Sequence, residues 1–166
     1  VHTLADGTMQ VTRISPYDET EYHWASKSPG RNHWRIIRGG HTVSTVGAFI
    51  GGFHGDSART FAVGKISSEA QLLIDATRDS FFKAIEALEK ENARVGDIGA
   101  AVEGHVKQFG FSVVRKYVGH GVGRDLHEDP SVPNFGTAGR GQRISEGMVI
   151  AIEPMVNVGT GAVREL

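Results

Sequence analysis

Apolar and polar positions fall into regular patterns along this chain only from about Val46 onward. Val46-Gly47-Ala48-Phe49-Ile50 and Phe53-His54-Gly55-Asp56 flank Gly51-Gly52, and a glycine pair between two such runs predicts a hairpin with a primed turn. The second strand is expected to continue through Arg59-Thr60-Phe61-Ala62-Val63, with Gly64 ending it. Ser68 with Gln71 makes a capping-box pattern that launches a helix to about Lys90. Leu73, Thr77, Phe81, Ala84, Ile85 and Leu88 would line one side of it. A second helix is expected from near Asp97 to Phe109, with Ile98, Ala101, Val102, His105, Val106 and Phe109 as its stripe and Gly110 as its stop.

The β-branched and aromatic run Phe111 to Tyr117 reads as a strand. A Gly-rich loop follows, then a Pro- and Gly-punctuated segment from 129 to 147. Met148-Val149-Ile150-Ala151-Ile152 reads as a strand buried on both faces, running straight into Glu153. The order hairpin, helix, helix, strand, loop, strand indicates an α+β domain with helices packed on one side of a sheet. Residues 1–45 sustain neither period; Trp34-Arg35-Ile36-Ile37 is their strand hint. The expected organisation is therefore a diverged or disordered segment over 1–45 and a structured domain over 46–166.

Composition narrows the classes. A chain of 166 residues fits one ordinary domain or part of a larger one. A formal charge of -1 lacks the basic excess of a general nucleic-acid or membrane-surface binder. No apolar run approaches the ~20 residues of a membrane helix. Val1 to Asp6 lacks the pattern of a signal peptide, so a cytoplasmic location is the default expectation. The absence of cysteine excludes a disulfide framework, a thiolate metal site and a cysteine nucleophile. The informative excesses are 22 glycines and 8 histidines.

Three segments carry candidate chemistry. Asp56 sits on the hairpin, and a lone aspartate there is usually a solvated edge residue. With Gly51-Gly52 as the turn, position 45 lies opposite position 58 and is a diagonal same-face neighbour of Asp56, about 7–8 Å away. A carboxylate at 45 would complete a paired acidic site; the residue is Thr45. The second segment runs from Gly119-His120-Gly121-Val122-Gly123 to Leu126-His127-Glu128-Asp129-Pro130. A phosphate loop is rejected because Asp129-Pro130 breaks any following helix. A zinc-protease helix is rejected because Ser131 stands where its second histidine should be. What remains is a histidine between glycines with a second histidine seven residues on.

The third segment ends a buried apolar strand on Glu153, followed by Pro154. Such a carboxylate needs a partner to stay ionised: an arginine such as Arg59 or Arg143, or a metal ion. Asp56, His120 and Glu153 form an oxygen-rich set with one imidazole, suited to Mn, Fe(II), Co or Zn and to metal-assisted hydrolysis.

Phe53-His54-Gly55-Asp56-Ser57-Ala58-Arg59-Thr60-Phe61, Tyr117 to Gly123, Leu126 to Gly136 and Gly147 to Met155 together resemble methionine aminopeptidase. The seven-residue step from His120 to His127 is similar to the bacterial type I form. The resemblance covers residues 46–166. It implies the pita-bread (creatinase/aminopeptidase) fold, a curved and mostly antiparallel sheet with helices on its outer face, here incomplete. It also implies metal ligands at Asp56, His120 and Glu153, a further role for Glu153 in activating water, and substrate contact by His127 near the scissile amide. The implied cofactors are two divalent ions (Co, Mn, Fe(II) or Zn). The implied reaction removes the N-terminal methionine from nascent polypeptides. The implied partners are peptide N-termini, with the ribosome as a setting, no nucleic acid and no membrane, for a monomeric protein.

The chain departs from the family pattern at three places. The second hairpin aspartate falls on Thr45, the last glutamate ligand would lie past Leu166, and an upstream histidine would fall near Lys27-Ser28-Pro29-Gly30, where there is none. The end at Leu166 suggests C-terminal truncation. With two family ligands missing, the expectation is weak or single-metal binding and little activity. An inactive pita-bread binding module and an X-Pro peptidase or creatinase-like hydrolase are the competing readings.

Overall fold

The computed structural model describes residues 47–62 and 64–163, the backbone of residues 41–46, and four strand segments nearer the N-terminus. Those segments are β1 (His2–Thr3), β2 (Met9–Gln10), β3 (Tyr22–Trp24) and β4 (Asn32–Ile37). The Trp34–Ile37 hint falls inside β4, whereas no pattern announced the first three strands. Lys27 to Gly30, Val63, and the Glu165–Leu166 end lie outside the described residues.

The hairpin is present and longer than its apolar pattern. β5 (His41–Ile50) and β6 (Phe53–Ala62) pair antiparallel through ten residues each. Gly51 and Gly52 both take positive φ, 61° and 87°, the conformation a primed turn demands and glycine permits. The register is the expected one, with Ile50 opposite Phe53 and Thr45 opposite Ala58, and it sets Gly47 against Asp56. β3, β4, β5 and β6 form one four-stranded sheet in that order.

Helix α1 spans Ser68–Leu88 and helix α2 spans Val95–Lys107. The cap of α1 is Ser67, not Ser68: its hydroxyl accepts from the Ala70 N–H at 3.1 Å. A pattern of consecutive serines leaves that choice open, and backbone geometry decides it. α2 begins two residues before Asp97, and Asp97 instead serves the cap, its Oδ2 accepting from the Arg94 N–H at 2.9 Å. The buried face of α1 is also turned from the expected stripe. It consists of Ala76, Ser80, Ala84 and Ala87, while Phe82 and Ile85 are exposed. Small residues let α1 lie close along α2, whose Ile98, Val102 and Val106 are fully buried at the centre of the core.

Three short antiparallel strands hold the centre. β8 (Gly119–Gly121) lies between β10 (Ile150–Ala151) and β9 (Glu128–Val132), and β7 (Phe111–Val113) pairs with β11 (Val156–Val158). Two expectations are corrected here. The Gly-rich segment is not loop throughout, because Gly119-His120-Gly121 is a central strand. An added Cβ at Gly119 or Gly121 would land on the carbonyl of Ala151 or Asp129, so only glycine allows the neighbouring strands this close. The apolar run Met148–Ile152 supplies only a two-residue strand, and Val149 is 63% exposed. Phe111–Tyr117 likewise keeps strand form only to Val113. Every strand pairing described is antiparallel, and the mixed α+β reading holds. No described helix is long and apolar enough to cross a membrane.

Candidate metal centre

Asp56 stands mid-strand in β6, His120 is the middle residue of β8, and Glu153 follows β10 by two residues. The β8–β10 register puts Ala151 opposite His120, so a chain continuing from Ala151 brings Glu153 past the imidazole. β6 is tied to the same place by the His54 N–H, which donates to the Gly123 carbonyl at 2.7 Å. The result is one ligand atom from each of Asp56, His120 and Glu153, all within 4.8 Å of one another.

The hydrogen-bond chemistry of this trio is unusual. Nε2 of His120 lies 3.6 Å from Asp56 Oδ2 and 3.6 Å from Glu153 Oε1, too far for a hydrogen bond to either. His120 Nδ1 is 2.9 Å from the Gly121 carbonyl, which can only accept, so the ring proton sits on Nδ1. Nε2 is the ring nitrogen that faces the two carboxylates. One ring nitrogen and two carboxylate oxygens thus converge without a hydrogen bond between them, around a His120 that is 8% exposed. A cation satisfies all three at once, so the donor set fits a divalent metal.

Electrostatics agree. Burial holds the Glu153 carboxyl above its ordinary range, the neighbouring Asp56 charge pushes it further up, and His120 and His127 act against them. Neither arginine weighed as a partner forms an ion pair with Glu153 among the described residues; Arg59 lies over the Phe61 ring at 5.4 Å. His127 is exposed, with its ring centroid 4.2 Å from that of His120. Both histidines line one open depression with Glu128 and Ser131.

Two residues of consequence carried no periodic signal. Glu128 folds back so that its Oε1 accepts from the Asp125 N–H at 2.8 Å, bracing the turn that leads to His127. Asn134 is fully buried and donates from Nδ2 to the Glu153 carbonyl at 2.6 Å.

The sequence matches the model of metallopeptidase family M24 over residues 12–165. The chain belongs to metallopeptidase family M24. An M24 chain implies use of a divalent metal, and Asp56, His120 and Glu153 make a possible site for it. The M24 chain is 50% identical over 131 residues to a methionine aminopeptidase of Clostridium acetobutylicum, covering 78% of this chain and 52% of that protein. It is 45% identical over 133 residues to methionine aminopeptidase 1 of Bacillus subtilis, covering 80% and 53%. It is also similar to the crystal structure of a Thermotoga maritima methionine aminopeptidase, with a TM-score of 0.73, 42% identity, and coverage of 78% of this chain and 52% of that one. A prolidase structure from Pyrococcus furiosus aligns with a TM-score of 0.60 at 27% identity, covering 75% and 36%. The fold is thus the M24 pita-bread fold in part. The chain spans about half the length of the curated relatives it matches.

Proposed function

We propose that this M24 chain holds a divalent metal at Asp56, His120 and Glu153 and serves hydrolytic removal of the N-terminal methionine from nascent polypeptides. The observation that carries the reading is the convergence of one ligand atom each from Asp56, His120 and Glu153 within 4.8 Å of one another. The relatives at 50% and 45% identity, both named methionine aminopeptidase, favour that substrate over the X-Pro substrates that the prolidase at 27% suggests.

The metal, Co, Mn, Fe(II) or Zn, would supply Lewis acidity and lower the pKa of water toward neutrality. The chain's own residues do the rest. His120 is fixed as the Nδ1–H tautomer by the Gly121 carbonyl, which keeps its Nε2 lone pair free for a cation. Glu153, with its carboxyl raised by burial, is suited to take a proton from the attacking water at the oxygen turned from His120 and return it to the leaving amine. His127 would contact the substrate near the scissile amide, a role that its exposure beside His120 supports. Thr45 offers no second carboxylate, so occupancy by one ion is the reading for this chain. The setting is cytoplasmic, with the ribosome supplying fresh N-termini to a monomer.

The test is release of methionine from a Met-Ala-Ser peptide by the chain with Mn(II), Co(II) or Fe(II), beside calorimetric titration of each ion. Binding of one ion with weak, metal-dependent release is expected. A chain that binds none of the three ions defeats the reading and leaves a non-catalytic pita-bread module.

A further inference from the structure

Glu153 lies on a crossover between two sheets. Up to Ala151 the chain is held in the β10–β8 ladder, with Ala151 opposite His120. From Met155 it is held by β7, because the Val114 N–H donates to the Met155 carbonyl at 2.8 Å and β11 follows at Val156. Between these anchors Pro154 has no N–H to offer. Among the described residues, the bond that ties residues 152–154 is the one from Asn134 Nδ2 to the Glu153 carbonyl, at 2.6 Å.

Asn134 is itself firmly placed. It is 0% exposed and follows Val132, which is also fully buried, at the end of β9. Helix α2 presses on the same segment: a Cβ at Gly99 would strike the Phe135 and Pro133 carbonyls, and one at Gly96 the Thr137 and Arg140 carbonyls. The Arg115 guanidinium lies 4.4 Å over the Phe135 ring and is held at 2.7 Å by Glu103, also on α2. The amide that reaches Glu153 is therefore mounted on rigid elements.

We propose that Asn134 is the positioning residue for Glu153, its Nδ2 hydrogen bond fixing the crossover so that the carboxylate stands opposite His120 and Asp56. The inference rests on the metal-holding role proposed above. A bond to the main chain of a ligand residue orients that ligand without touching the ion, and loss of such outer partners commonly weakens metal binding about 10–100-fold. Asn134 acts through Glu153 and is not itself catalytic.

The experiment titrates Co(II) into the full chain and into Asn134→Leu and Asn134→Ala, reading both affinity and the visible absorption of the bound ion. Far-UV circular dichroism confirms folding. The expected result is folded variants that bind Co(II) at least about 10-fold more weakly, with a changed spectrum. A purely structural role would lower the melting temperature yet leave the folded fraction's affinity and spectrum unchanged, and that outcome overturns the proposal. Failure of the unsubstituted chain to bind Co(II) instead strikes the metal-holding reading. Side-chain amide exchange by NMR in the unsubstituted chain tests the Nδ2 hydrogen bond on which the proposal depends, independently of metal and of variant folding. Slow exchange of the Asn134 Nδ2 protons is expected, and exchange at the solvent rate overturns the proposal.

Discussion

The His54 N–H donates to the Gly123 carbonyl at 2.7 Å, joining the strand that carries Asp56 to the turn that leaves His120. Asp56 and His120 belong to different sheets, so the relative placement of two candidate ligands depends on a backbone contact rather than on a side chain. The spacing of the strands around that contact is set by glycines, which makes their substitution informative.

Gly123→Ala would bring a Cβ within 2.6 Å of Glu128 Oε2, and the flexible carboxylate can swing away at the loss of its bond to the Asp125 N–H. A cost of about 1 kcal/mol is expected. Gly121→Ala has no such escape, since the clash is with the main-chain carbonyl of Asp129 and parts β8 from β9. It should cost about 4 kcal/mol or more. Urea-unfolding midpoints measure both; equal midpoints would contradict the tight β8–β9 pairing.

Thr45→Asp should add metal capacity. The β5–β6 register sets residue 45 opposite Ala58, diagonal to Asp56. A carboxylate there lies about 7–8 Å from Asp56 in Cα spacing, within reach of a shared cation. Calorimetry should show a higher stoichiometry or tighter binding for the variant than for the unsubstituted chain. An unchanged isotherm refutes the diagonal pairing as a metal site.

The Glu153 carboxyl, raised by burial and then by Asp56, gives a signed pH dependence. The folded, metal-free chain holds that proton more tightly than the unfolded chain does. Its contribution to stability is therefore full below the ordinary glutamate range and is lost as pH rises through the raised value. As pH rises from the ordinary glutamate range, the melting temperature with chelator present should carry this falling component, and Glu153→Gln should remove it. Saturating Mn(II) should oppose the fall, because binding requires the ionised carboxylate. At an ion concentration of 100 times Kd the gain is about 2.7 kcal/mol.

Asp56→Asn should act in opposite directions on the two states. Removing the charge that faces Glu153 and His120 relieves repulsion in the metal-free chain, raising its stability by up to about 1 kcal/mol. The same change removes a ligand, so the metal-induced rise in melting temperature should vanish. Paired thermal scans with chelator and with Mn(II) distinguish these signs, and a variant that keeps the full metal response refutes the assignment.

The serine pair at the start of α1 separates cap from neighbour. Ser67→Ala should cost about 1 kcal/mol, because the Ala70 N–H loses its acceptor. Ser68→Ala, at an exposed first-turn position, should stay within about 0.5 kcal/mol. Equal midpoints for the two variants would restore Ser68 as a cap.

What the sequence disclosed follows from where local rules act. The hairpin register was legible because Gly51 and Gly52 leave one turn geometry, and that register located Asp56. The two helices were legible from apolar spacing, although α1 turned its alanines inward because helix-to-helix distance, not hydrophobicity alone, chose the buried face. The strand at His120 was hidden. Glycine has little preference for extended structure, so Gly119 and Gly121 are strand residues through their pairing with β9 and β10, which leaves no room for a Cβ at either. Asn134 was hidden more deeply, since the bond that gives it meaning joins residues distant in sequence.

The three candidate ligands are also ordered in time. Asp56 is synthesised first of the three, His120 later, and Glu153 last. Until Glu153 emerges, the two earlier residues have no third ligand to converge with and no second carboxylate to repel. On the proposed reading, a site of three ligands is complete only once Glu153 has joined the other two.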